Sequence, residues 1–382
     1  MAMSRNVRKL SKMVASQIAI PCCLMRGGTS KGPFFLESDL PADIAARDKV
    51  LLSIMGSPDV RQIDGLGGAH PLTSKVGIVR PGTTAGVDLE FLFAQLQPDS
   101  DVVDTTPNCG NMLAASVPFA LEKGLLSAGD GTATFRVLTR NTGVLSDITV
   151  TVAGGQMVYE GDARIDGVPG TASAVNINFL DTAGSVCGSL LPTGHTSDVI
   201  DGVRVTCIDN GMPVVIMRAS DLDRTGYETV AELNADEELK ARLEALRLDA
   251  ALSMGLGDVT RKNFPKMCLI APPKNGGCVS TRCFIPHVCH EAVGVLAAVT
   301  IASACVLDGS VCQGVAVVPE GLNKSLSVEH PSGEFTIDTS LDPDNPQRIE
   351  RSALLRTARL LMKGEAMVPR AVFQSDETGA IA

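Results

Sequence analysis

The sequence predicts an α/β protein of two pseudo-duplicated domains, each a curved sheet around one buried helix, with a functional cleft where the two helix starts face each other. Three observations lead there. At 382 residues the chain is long for a single core, so two domains are the default. Two stretches, Met112 to Leu121 and Ala292 to Leu307, carry no charged residue, so each is too apolar for a surface helix and belongs in the middle of a domain. Each follows strand-like segments and a glycine pair, Gly27-Gly28 in one half and Gly276-Gly277 in the other. The crossover falls at the start of the turn-rich stretch Asp181 to Gly194. The first domain is therefore expected over residues 18–182 with about 353–382 returning to it, and the second over 183–352.

The elements follow in order. Residues 1–17, with Arg5, Arg8, Lys9 and Lys12 but no apolar core, read as a frayed arm rather than a secretory signal. Ile18 to Met25 is a strand that runs through the glycine loop and out through Pro33 to Leu36; Pro41 to Leu52 is helical. Leu72 to Val79 alternates as a strand and leaves Lys75 on one face; Val87 to Leu96 and Thr132 to Val152 continue the strands around an Asn141-Thr142-Gly143 turn. Pro118 should kink the first apolar helix. Val203 to Met217 is strand-like around Asp209-Asn210-Gly211-Met212-Pro213. Asn234 to Ala251 is an amphipathic surface helix, with Asn234 as its cap and Glu237 completing a capping box. Met267 to Ile270 and Cys278 to Phe284 are strands, and Pro286 to Glu291 leads straight into the second apolar helix. His330-Pro331-Ser332-Gly333 is a polar turn between strands.

Composition excludes several classes. A formal net charge of −10, no Trp and 3% aromatic residues oppose nucleic-acid binding, which needs a basic field and stacking rings. The apolar run from Ala292 to Leu307 is shorter than the roughly 20 residues that cross a bilayer, so no membrane span is expected. The 11 cysteines, odd in number and without framework spacing, read as free thiols in a reducing cytoplasm. Cys278, Cys283, His287, Cys289 and His290 are too closely spaced for a zinc finger, so no metal site is expected.

Chemistry concentrates at Asn108-Cys109-Gly110-Asn111. A cysteine where a loop enters a buried helix sits among unpaired N–H groups that favour negative charge, so its thiol can exchange protons and a substrate carboxylate can bind beside it. An inert buried cysteine is the alternative. The loop Arg26-Gly27-Gly28-Thr29-Ser30-Lys31-Gly32 lets backbone N–H groups and hydroxyls approach an anion, but its spacing is not that of a phosphate-binding loop. Asp64-Gly65-Leu66-Gly67-Gly68 lacks the further spaced glycine of a dinucleotide fingerprint. Lys75 is a solvated edge charge or, if desolvated in a pocket, a general base.

These motifs, with Thr73-Ser74-Lys75-Val76, Leu191-Pro192-Thr193-Gly194 and the His330 turn, resemble the 2-methylaconitate isomerase and 4-oxalomesaconate tautomerase group, the PrpF-like group of the diaminopimelate epimerase-like fold. Met55-Gly56-Ser57-Pro58-Asp59 and Phe284-Ile285-Pro286-His287 look most like the 4-oxalomesaconate branch. The resemblance implies proton transfer between carbons of an unsaturated tricarboxylic keto acid, formed in bacterial breakdown of gallate- or protocatechuate-type aromatics, without metal or organic cofactor. It implies that Lys75 and Cys109 are catalytic. It places Arg26, Gly27, Gly28, Thr29, Ser30, Gly68, Ser74, Asn108, Gly110, Asn111, Met212, Arg282, His287, His290, Ser332 and Gly333 around the substrate. The second helix start reads Cys289-His290-Glu291, without the opposed Cys-Gly pair of the fold's two-thiol epimerases. Keto–enol tautomerase and allylic isomerase both remain open, as does which of Lys75 and Cys109 is the base. A 2-methylaconitate isomerase and a silent tricarboxylate-binding protein are the other readings, and a homodimer is left open.

Overall fold

The structure, a computed structural model, describes residues 16–345 and 348–373. The expected arm lies outside them except for its last two residues, and Gln17 already opens the first strand. The chain divides into two compact units. The first takes the described residues up to Gly143, Val150–Tyr159 and the described residues from Ala358; the second takes Val144–Thr149 and Glu160–Thr357.

In the first unit β1 (Gln17–Gly27) and β2 (Ser30–Leu36) form a hairpin. Helix α1 (Ile44–Met55) crosses to β3 (Lys75–Pro81), which lies parallel to β2 and pairs antiparallel with β4 (Leu89–Leu96). After the short β5 (Val103–Asp104), helices α2 (Gly110–Leu113) and α3 (Ser116–Glu122) lead to β6 (Gly131–Thr139), parallel to β4. β7 (Val144–Ala153) and β8 (Gln156–Met157) follow. Alternation along the strands sorts the side chains to two faces. Ile20, Cys22, Phe35, Val76, Ile78, Leu92 and Ala94 pack on α1 through Val50, Leu51 and Ile54. The other face carries Phe34, stacked on Phe91 with ring centres 6.2 Å apart and tilted against Phe119 of α3 at 5.6 Å.

The first apolar helix is not continuous. It breaks at Ala114-Ala115, because the Ala114 carbonyl would need the N–H of residue 118, and Pro118 has none. Ser116 Oγ bonds the Leu113 carbonyl across the break at 2.7 Å, and Ser116 to Leu121 are all buried.

In the second unit β9 (Ala174–Phe179) pairs with the start of β7 and with the start of the last strand, so Glu160 to Thr182, expected in the first domain, group here instead. β10 (Asp198–Ile200), β11 (Val203–Asp209) and β12 (Pro213–Arg218) are antiparallel neighbours. Helices α4 (Val230–Ala235) and α5 (Glu237–Ser253) cross to β13 (Lys266–Ala271), parallel to β12. β13 pairs antiparallel with β14 (Val279–Phe284), and α6 (Val295–Val306) leads to β15 (Asn323–His330), parallel to β14. β16 (Gly333–Leu341) and β17 (Ile349–Pro369) complete the chain, with Met367 opposite Ala19 in the first unit. Both units thus run hairpin, parallel step, hairpin, parallel step, with a crossover helix at each parallel step. The internal duplication is visible in the topology.

Two local expectations are corrected. The capping box belongs to α4, where Thr229 and Glu232 reciprocate; Asp236 caps α5 by accepting from the Leu239 N–H. Asn234 instead binds the backbone of Cys289, accepting its N–H at 2.7 Å. The second apolar helix starts only at Val295, with Gly294 as its N-cap. Residues 286–290 turn back along β14, with the His290 N–H on the Cys283 carbonyl, so Cys289 is not at a helix start.

Gly32 sets the spacing of β2 and β3: a Cβ there would lie 1.7 Å from the Lys75 carbonyl oxygen. Gly32→Ala should therefore push Lys75 out of place and cost about 1–3 kcal/mol of stability. Chemical denaturation checks this, and an unchanged midpoint would contradict so close an approach.

Candidate active site

Three sequence-distant motifs meet on the helix-facing side of the first unit. The hairpin turn reaches α2: Asn111 Nδ2 donates to Thr29 Oγ1 at 3.0 Å, and a Cβ on Gly27 would strike the Asn111 carbonyl oxygen at 2.2 Å. Only glycine allows that approach. Gly32 abuts Lys75, and Lys75 Nζ lies 3.7 Å from Cys109 Sγ, the N-cap of α2. Ser30 is buried, and among the described residues its Oγ has no partner. A buried hydroxyl without a partner is costly unless something else completes it.

Lys75 is 8% exposed, and among the described residues no carboxylate pairs with it. Its ammonium is held by Gln95, directly opposite on β4, whose Oε1 accepts at 2.8 Å, and lies 4.9 Å over the Phe93 ring centre. Sequence reading missed both residues. Phe93 and Gln95 stand two apart in Leu89–Leu96 and so share a face; a lone amide in that apolar strand was the available signal. The amide's orientation is fixed because Nε2 donates to the carbonyls of Pro71, Ser74 and Leu96 at 3.0, 3.1 and 3.2 Å.

The other expected residues divide. Ser74 is buried with its hydroxyl on Gln62 Oε1 and the His70 carbonyl, and the Gly68 N–H bonds the Thr73 carbonyl, so both shape the loop leading into Lys75. Asn108 is exposed, with Nδ2 on Thr142 Oγ1 at 2.6 Å. Gly28, at φ +50°, makes the hairpin turn, and Gly110 opens α2. Arg26 alternates with Gly27 and therefore leaves the sheet on the α1 side, opposite Lys31 and Arg359 in register; its Nη1 donates to the Gly28 carbonyl. A single-turn α2 sums little dipole. The cation next to Cys109 is Lys75.

The second unit holds the rest. Met212 closes the β11–β12 turn, its carbonyl accepting from Thr300 Oγ1 of α6 at 3.0 Å. Arg282 is nearly buried, with Nε on the Glu228 carbonyl at 2.7 Å. His287 is exposed and turned to Glu244 Oε2 at 3.4 Å, and His290 is exposed. Cys289 packs in the apolar core, where burial pushes its thiol up to about 12. Ser332 donates to the Glu291 carbonyl at 2.7 Å and faces His330 Nδ1 at 3.2 Å. Gly333, at φ +147°, makes room for the Asp166 side chain. All eleven cysteines are free thiols, and among the described residues no helix is long and apolar enough to cross a membrane.

Fold and site together define a family. The chain belongs to the PrpF family, whose model, the PrpF protein, matches residues 17–369. It is 53% identical over 93% of its length to a 4-oxalomesaconate tautomerase of Pseudomonas putida, covering 97% of that protein. It is also 53% identical over 91% of its length to a (4E)-oxalomesaconate Delta-isomerase of a Novosphingobium species, covering 97% of it. The crystal structure of a methylitaconate-delta-isomerase superposes with a TM-score of 0.84 at 34% identity, over 94% of this chain and 98% of that one. The protein is an isomerase.

His330 makes the stability of the second unit pH-dependent. Burial first, and the Arg356 cation second, push its imidazole down to about 4, and its buried Nε2 has no partner among the described residues. Above the ordinary value of 6.5 both folded and unfolded states are neutral there, so nothing is lost. As pH falls from 6.5 toward 4 the unfolded chain gains a proton that the folded one refuses, and stability declines. Glu37 and Glu90, where hydrogen bonds from arginines and Thr83 outweigh burial, contribute only from about 4.5 downward. His330→Phe should flatten the Tm profile between pH 6.5 and 4.5; parallel profiles for both proteins would reject this assignment.

Proposed function

We propose that this chain isomerises 4-oxalomesaconate by moving a proton between its carbons, with Lys75 and Cys109 as the acid–base pair. The observation that carries the reading is the contact of 3.7 Å between Lys75 Nζ and Cys109 Sγ, in a protein whose relatives at 53% identity are named for oxalomesaconate. Neutral Lys75 takes a proton from the methylene next to the conjugated system and becomes an ammonium. The electron pair spreads over the adjacent carbonyl as a dienolate, and the Cys109 thiol protonates its far end. The ammonium then returns its proton to the thiolate across the direct contact, which resets both groups. Because donor and acceptor are neighbours, one face of a planar diene suffices and no opposed thiol is needed. That fits a core-bound Cys289.

Gln95 supports this chemistry. Its neutral amide fixes the position of Nζ beside Cys109 without adding a charge to the site. For the substrate carboxylates the candidates beside Lys75 and Cys109 are the Ser30 hydroxyl and the turn at Thr29 with Asn111. The chemistry as written uses only these side chains. A cytoplasmic role in bacterial breakdown of gallate- or protocatechuate-type aromatics follows from the substrate. Tautomerase and allylic isomerase share these steps and differ in where the second proton lands.

Lys75→Met and Cys109→Ser should each lose roughly 10²–10⁴-fold in kcat. In deuterated water Cys109→Ser should still wash label into the reacting methylene without forming product, while Lys75→Met should do neither. Free exchange by Lys75→Met with Cys109→Ser silent would make the cysteine the base; full activity in Lys75→Met would end the proposal.

A further inference from the structure

The Asn141-Thr142-Gly143 turn takes no part in the chemistry above, yet its side chains reach the site. Strand β6 runs parallel to β4 as far as the pair Thr139 and Phe91, and the Arg140 N–H still bonds the Phe91 carbonyl at 2.8 Å. The chain then turns away, with Gly143 at φ +76° and its N–H on the Thr139 carbonyl. The next ladder place beside β4, at Phe93, is filled by the Asn141 side chain. Its Oδ1 accepts the Phe93 N–H at 2.9 Å, and its Nδ2 donates to the Phe93 carbonyl at 2.8 Å. The other Nδ2 proton goes to the Thr105 carbonyl at 2.6 Å. One residue on, Thr142 Oγ1 accepts from Asn108 Nδ2 at 2.6 Å.

An asparagine in a turn usually bonds its own backbone two residues on. Asn141 instead spans 48 residues to β4 and 36 to the loop after β5. Those attachments lie on the two sides of the contact between Lys75 and Cys109. Phe93 lies under the Lys75 ammonium, with Gln95 two residues further along the same face, and the segment from Thr105 to Asn108 ends at Cys109. Strand β4 is also held by β3 and β5. The loop is anchored at its start by Asp104, whose carboxylate takes the Thr106 N–H and hydroxyl. The attachments of Thr105 and Asn108 to the end of β6 come from Asn141 and Thr142.

We infer that Asn141, with Thr142, is a positioning residue for the reaction. It clamps the loop that carries Cys109 to the strand that carries Phe93 and Gln95, and so sets the 3.7 Å distance across which the proton returns from Lys75 to the thiolate. A general acid must lie within reach of the atom it protonates, and a misplacement of about 1 Å can cost roughly 10²-fold in rate. Both donors and the acceptor of the Asn141 amide are on backbone groups, so its orientation is fixed. A carboxylate of the same shape has no proton for the carbonyls of Phe93 and Thr105. The inference rests on the reading of Lys75 and Cys109 given above.

Removing the clamp frees Cys109 and leaves Lys75 on Gln95, so removal of the first proton should survive better than delivery of the second. The test is run in deuterated water, counting label in recovered substrate against product formed. Asn141→Ala should lower kcat roughly tenfold or more, change KM less, and raise the ratio of exchange to product at least about threefold. Partial unfolding lowers both rates together and leaves that ratio at the wild-type value, so an unchanged ratio overturns the inference. Asn141→Asp should lose as much as Asn141→Ala, and wild-type kinetics in it would also overturn the inference. Thr142→Val should shift the ratio in the same direction by less, and Thr142→Ser, which keeps the hydroxyl, should restore it. Should Asn141→Ala not fold, the Thr142 pair decides, and equal ratios in the two would count against the clamp. An unchanged ratio alongside an inactive Lys75→Met would defeat this inference and spare the proposed function, whereas a fully active Lys75→Met would defeat the function.

Discussion

Each unit is organised by the need to bury a helix that has no polar side. A helix that is apolar all round cannot lie on a surface, so strands must surround it and every loop at its N-terminus is forced close to it. In the first unit this brings the β1–β2 turn against α2 so tightly that Gly27 has no room for a side chain. In the second, Thr300 and Ser303 of α6 bind the corresponding turn, Thr300 Oγ1 accepting the Asn210 N–H at 3.2 Å and Ser303 Oγ accepting from Asn210 Nδ2 at 2.8 Å. The site is a consequence of this packing: the strand that starts beside the helix N-terminus puts its first side chain there.

A lysine in such a place needs positioning without neutralisation. Gln95 provides an oxygen acceptor whose orientation is locked by three backbone carbonyls, and Phe93 presents a ring face, which attracts a cation without taking its proton. Both partners position the ammonium without adding a charge beside it. Arg247 shows the opposite solution in the second unit: fully buried, it is paired with Glu244 and capped by the carbonyls of Val259 and Phe264 at 3.1 and 3.0 Å, a cation placed for structure. Buried charges with full sets of partners and buried charges with few are doing different things in this chain.

Duplication explains why the sequence looks repetitive and why the two halves are not interchangeable. The pairing pattern is the same in both, but the thiol at the helix start is present only at Cys109; in the second half the nearest cysteine, Cys289, lies five residues before the N-cap and in the core. The same backbone frame therefore presents a thiol at one helix start and a glycine at the other.

The strands, the apolar helices, the hairpin glycines and the family were readable along the chain, because alternation, absence of charge and turn residues are local signals. Lys75 and Cys109 could be named from their motifs, and the crossover helix from its apolar stripe. What the sequence could not say was what lay opposite what. That Gln95 faces Lys75 and that Arg26 leaves by the α1 face are matters of register, which a shift of one residue in pairing would reverse; that Asn234 binds Cys289 rather than capping a helix is a tertiary contact between α4 and the turn after β14. The break at Ala114 was announced by Pro118, whereas the late start of α6 at Val295 depended on the turn that folds back on β14. Local pattern determined the elements and named Lys75 and Cys109 as candidates; only tertiary packing decided their neighbours, because hydrogen bonds and burial join residues distant in the chain.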